Sequence, residues 1–131
     1  VKDLNKDCKT RDMIVFGECI DWSDGTCSIK QFNELKLSEL KRLIQYHFIR
    51  IDDSQNDSPT TIEFLEFMEQ HSGVECHGYA VSPERDDYRI TIEGLSYRGI
   101  KPLHLVSDFT DFCKSADELK NEGDQLRSWW D

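Results

Sequence analysis

The strongest constraint on this chain lies in its middle, where two β-type segments flank a short polar loop. Val74–Val81 and Tyr88–Leu95 are joined by Ser82-Pro83-Glu84-Arg85-Asp86-Asp87, a run rich in turn-forming residues. In the first segment Val74, Cys76, Gly78 and Ala80 share one face, and all are small. In the second, Tyr88, Ile90 and Ile92 alternate with Arg89, Thr91 and Glu93. Small side chains opposite large ones predict a hairpin with one face that a helix can approach closely.

The flanking sequence supplies helices for that face. Ser28 with Gln31 has capping-box spacing, with Ile29, Phe32 and Leu35 on the apolar side. Ser38 opens a second helix, in which Leu40, Leu43, Ile44, His47 and Phe48 form a stripe that ends near Ile51. Ser58-Pro59 starts a third, and Ser72-Gly73 stops it. Residues 1–11 read as a loose charged lead-in, Met13–Phe16 as a short strand, and Leu103–Val106 as another strand after Pro102. The C-terminal stretch reads as a helix capped by Ser107 or Ser115, kinked at Gly123, with Leu126, Trp129 and Trp130 resuming its stripe. The expectation is one α+β domain over residues 1–131. Its N-terminal half is helical, its centre is an antiparallel hairpin or small sheet, and its C-terminal helix packs on that sheet.

Charge narrows the function. Twenty-six acidic against sixteen basic residues leave a net charge of −10, which repels phosphate backbones and anionic lipid and attracts basic surfaces. Leu37–Ile49 resembles the first helix of the SAP-type DNA-binding motif. The next helix, however, carries Glu63, Glu66 and Glu69 and no basic residue, so nucleic acid is not the expected partner. No apolar run approaches the roughly 20 residues of a membrane span, and no signal peptide is apparent. A cytoplasmic protein is expected. Cys8, Cys19, Cys27, Cys76 and Cys113 are odd in number and irregularly spaced, and read as reduced thiols, mostly buried. No pair has zinc-ligand spacing, and no cofactor is implied.

Three constellations could carry chemistry. Asp52, Ser54, Asn56, Ser58 and Glu63 match EF-hand ligand spacing, but Asp57 stands where the loop needs glycine and Pro59 lacks an N–H. A polar loop and helix start is the expectation there, not a calcium site. The polar face of the hairpin presents Glu75, His77, Tyr79, Arg89, Thr91 and Glu93, which together could do acid–base work or hold an anion. Acids also gather in loops: Asp21 and Asp24; Asp52, Asp53 and Asp57; Glu84, Asp86 and Asp87, with Trp22, Tyr79 and Tyr88 nearby. Charge speeds encounter and aromatic rings anchor a partner. The leading expectation is therefore a non-enzymatic protein-binding module for a basic protein, inhibitor- or immunity-like, using Trp22, His77, Tyr79, Arg85, Asp86, Asp87 and Arg89. The alternatives are a small-molecule-binding protein or enzyme on the exposed face of the 74–95 hairpin, and a structural homodimer joined through a hairpin edge or a Trp129–Trp130 patch.

Overall fold

In the computed structural model, residues 3–23 and 27–131 are described; Asp24, Gly25 and Thr26 of the first acidic turn lie outside the described residues. Helix α1 (Cys8–Phe16) leads to strand β1 (Ile29–Leu35), then α2 (Leu37–Gln45) and α3 (Thr61–Gln70). The central strands β2 (Glu75–Val81) and β3 (Ile90–Arg98) follow, then α4 (Leu103–Phe112) and a second hairpin, β4 (Glu118–Glu122) and β5 (Gln125–Trp129). The strands form one antiparallel sheet in the order β1-β2-β3-β5-β4. The α+β class holds, with the central hairpin inside a sheet larger than expected.

Five local expectations are corrected. Residues 3–11 are not loose. Asp7 caps α1 through the Thr10 amide, and Asn5 is tied to the His47 and Tyr46 carbonyls and accepts from the Tyr88 hydroxyl. Met13–Phe16 is accordingly the end of α1 rather than a strand, closed by Gly17 in the left-handed conformation. Ile29–Leu35 is a strand, not a helix: a register shift between Phe32 and Leu35 turns both into the core despite their three-residue spacing. Pro102 precedes α4, where a strand was expected. The C-terminal helix is replaced by the β4–β5 hairpin, in which Gly123, at φ +53, is the first of two turn residues.

The second and third predicted helices are present. α2 stops at Gln45, so His47 leaves the stripe and is exposed at φ +65. α3 starts from Thr60, whose side chain and that of Glu63 form a reciprocal capping box. Ile14, Leu40, Leu43, Phe64, Phe67, Met68, Leu105 and Phe109 from the four helices join Cys76, Ala80, Ile90, Ile92, Leu95 and Leu126 in one core cluster. At Gly78 the close approach is between the two central strands. A methyl group on Gly78 would run into the Thr91 carbonyl across the strand pair. The cysteines are all free, but only Cys76 and Cys113 are buried; Cys19 and Cys27 are exposed. No helix among the described residues is long and apolar enough to cross a membrane.

Candidate functional site

The feature that organises the site is a mismatch along β3. At its C-terminal end β3 pairs on both sides, with β2 and with Gln125–Arg127 of β5. Toward its N-terminal end β5 peels away. The Ser128 hydroxyl accepts from the Leu95 amide, and the Trp130 amide donates to the Glu93 carbonyl. Beyond that bond no strand among the described residues lies beside Ile90–Ile92 on the side away from β2.

A cleft of about 520 Å³ occupies this gap. Its walls are the N-terminal segment (Asp3, Leu4, Lys6), the connection from α2 to α3 (Ile49–Pro59), the head of α3, and Asp86–Ile92. Phe64, Ile90 and Ile92 lie beneath it, all buried. The α2–α3 connection is held in shape by its own bonds. Asn56 and Asp57 both adopt positive φ, the Ser58 amide donates to the Gln55 carbonyl at 2.7 Å, and the Thr61 amide to the Asp53 carbonyl at 2.9 Å. Gln55 spans the gap, donating to the Trp130 carbonyl at 3.2 Å and accepting from the Tyr79 hydroxyl at 3.4 Å. Glu63, the last ligand position of the calcium-like spacing, is spent on the Thr60 amide and hydroxyl. Among the described residues no group of three or more His, Cys, Asp or Glu is placed to hold a metal ion.

At the cleft mouth Arg89 is the hub. It donates to Thr91 Oγ1 at 3.0 Å, to the Tyr79 hydroxyl at 2.9 Å and to Asp87 Oδ2 at 3.0 Å. Arg85 grips the same carboxylate through two bonds of 2.8 and 2.7 Å. The Arg85 bonds, aided by Arg89, hold the Asp87 carboxyl below the usual range. Burial opposes the Arg89 charge, but Tyr79 and Asp87 outweigh it and raise the guanidinium further. Asp87 is thus neutralised from within, whereas Asp86 stands exposed at the cleft.

Of the seven candidate residues, Arg85, Asp86, Asp87, Arg89 and Tyr79 are brought together here. Trp22 is not. It is buried, and its indole N–H donates to Asp12 Oδ2 at 2.7 Å. His77 is elsewhere too, on the sheet face away from the helices. There a depression of about 210 Å³ is lined only by strand residues, among them Gln31 of β1, Glu118 of β4, Arg127 and Trp129. Because both edge strands reach it, the sheet curls toward that face. His77 Nε2 bonds the Ser128 carbonyl at 2.8 Å. A carbonyl only accepts, so Nε2 carries the proton. Burial, opposed by that bond, pulls the imidazole down to about 4, so it is neutral near pH 7. Burial likewise raises the Glu93 carboxyl, which accepts from the Trp129 indole at 3.2 Å.

Tyr79, Arg89 and His77 therefore share no pocket: Arg89 lines the cleft and His77 the depression. Trp130 is fully buried and Trp129 half-buried, so the two tryptophans form no open patch. Sequence reasoning missed Gln55, Asp3 and the open edge of β3, which depend on how distant segments meet. No protein family, curated protein or solved structure matches this chain.

Proposed function

We propose that this chain is a non-enzymatic protein-binding module that engages a basic partner at the cleft beside β3, in the manner of an inhibitor or immunity-type protein. The observation that carries this reading is a preorganised cleft with four carboxylates on its walls, Asp3, Asp53, Asp86 and Asp87, on a chain of net charge −10. A volume of about 520 Å³ is within the range of sites that bury a ligand or an anchoring side chain. The cleft also carries Lys6, Arg50 and Arg89, so charge acts mainly by steering the encounter.

The test is charge reversal at the mouth. Chain carrying Asp53→Lys and Asp86→Lys, immobilised beside the unmodified chain, is exposed to lysate and washed at rising salt. A basic protein retained by the unmodified chain, released by salt and lost from the variant supports the reading. Retention of the same protein by both forms removes it.

A second reading has its own observation. Neutral His77 and protonation-prone Glu93 share one concave depression with Arg127 and Trp129, an arrangement suited to a small polar ligand or to acid–base chemistry. Its smaller volume, about 210 Å³, and the engagement of His77 with Ser128 rank it below the cleft.

A further inference from the structure

We infer that the cleft takes its partner as an extended strand added to β3 along Ile90–Ile92; this rests on the cleft-binding reading and specifies how it works. In an antiparallel ladder, alternate residues direct their main-chain N–H and C=O to opposite neighbours. The Val81 amide bonds the Arg89 carbonyl and Thr91 is registered to Tyr79, so residues 89 and 91 address β2. Ile90 and Ile92 therefore address the cleft. A bulge between the His77 and Gly78 pairings then shifts the parity, and Glu93 and Leu95 turn their groups to β5.

Ile90 and Ile92 are only 2% and 5% exposed. Buried backbone groups nearly always find a partner. Among the described residues, no loop amide, carbonyl or side chain bonds them on the cleft side. The α2–α3 connection passes by but spends its bonds on itself and on Trp130. Among the described residues the edge of β3 is thus open along Ile90–Ile92, and the Gln55 side chain that bridges Tyr79 and the Trp130 carbonyl is what an added strand would displace.

The outer edges of the sheet lack this character. β4 is exposed along its whole length and carries Glu118, Lys120 and Glu122, charges that discourage edge pairing. β1 is interrupted by its register shift and by Glu34 at φ +58. Asp53 and Asp86 both line the cleft beside this edge. The ligand class is therefore an extended peptide carrying basic residues.

A random peptide library displayed on phage, its inserts longer than a typical strand, is selected against the full chain, and the best binders are synthesised. Bound to isotope-labelled protein, they slow amide exchange at Ile90 and Ile92. N-methylation of the peptide residues that face β3 weakens binding by about tenfold for each hydrogen bond lost, while methylation of the intervening residues does not. Binders that shift Asp53 and Asp86 but leave Ile90 and Ile92 unprotected, and that tolerate methylation at every position, overturn strand addition and leave the cleft-binding reading standing. A selection in which no binder perturbs the cleft overturns both.

Discussion

Arg11 and Arg89 are built into assemblies of nearly the same parts, one dry and one wet. Arg11 bonds the Asp12 carboxylate at 3.0 Å and the Val81 carbonyl at 2.9 Å, with its guanidinium 4.7 Å from the Tyr88 ring and 5.6 Å from that of Trp22. Arg89 bonds the Asp87 carboxylate and carbonyl, each at 3.0 Å, with the Tyr79 ring at 5.5 Å. The side chains of Arg11 and Asp12 are 0% and 1% exposed, against 38% and 44% for Arg89 and Asp87. In the first cluster each lost bond strands a charge where water cannot reach it. In the second, water replaces what is lost. Identical chemistry fixes architecture in one place and tunes a surface in the other.

The largest expected effect breaks the dry cluster. Asp12→Ala leaves the Arg11 charge uncompensated and the Trp22 indole N–H without its acceptor, and one nitrogen of Arg11, Nη2, already has no partner among the described residues. A loss of about 3–5 kcal/mol is expected in urea unfolding, enough to abolish folding in a marginal domain. Replacing both partners, Arg11→Met with Asp12→Leu, should restore most of it, because an apolar pair of similar size has no charge to strand. If Asp12→Ala unfolds like the unmodified chain, burial is not what separates the two clusters.

His77 sharpens the contrast with a third solution, burial in the neutral form. Its folded value of about 4 lies below the ordinary 6.5. Between those values the unfolded chain binds a proton that the native chain refuses, so stability falls as the pH is lowered through that window. The full effect is on the order of 3 kcal/mol. A His77→Gln variant, compared with the unmodified chain from pH 7 to 5, should lose this slope. Equal slopes would mean that the ring takes up its proton in place.

These contrasts were unevenly legible in the sequence. The central hairpin was readable because small and large residues alternate on its two strands, and α2 and α3 because their apolar residues recur at helical spacing. β1 was not, since Ile29, Phe32 and Leu35 satisfy a helix equally well, and only the register shift makes the last two share a face in a strand. In β5 the alternation of Leu126, Ser128 and Trp130 with Gln125, Arg127 and Trp129 was present. A buried serine and two adjacent tryptophans hid it. The buried Arg11–Asp12 pair was not legible, because its neighbours Val81, Trp22 and Tyr88 are remote along the chain. Arg85, Asp87 and Arg89 were legible as a group because they lie within five residues. The open edge of β3 was not, because it is set by where β5 stops pairing.

The smallest effect on stability is expected from Asp87→Asn, the wet counterpart of Asp12→Ala. The Asp87 carboxyl is held below its usual range, chiefly by Arg85, so its stabilising contribution is present at neutral pH and fades only as the pH falls through the carboxylate range. Both partners are partly exposed, and solvent re-hydrates them when the carboxylate is removed. Thermal unfolding should move by a small fraction of the Asp12→Ala shift, and the difference should shrink in high salt. The effect on binding should be larger than the effect on stability. Without Asp87, Arg85 and Arg89 present uncancelled positive charge at the cleft mouth, and a basic partner should associate more slowly at low salt. A large loss of stability with unchanged association would reverse the assignment, making the Arg89 cluster a structural element like that of Arg11.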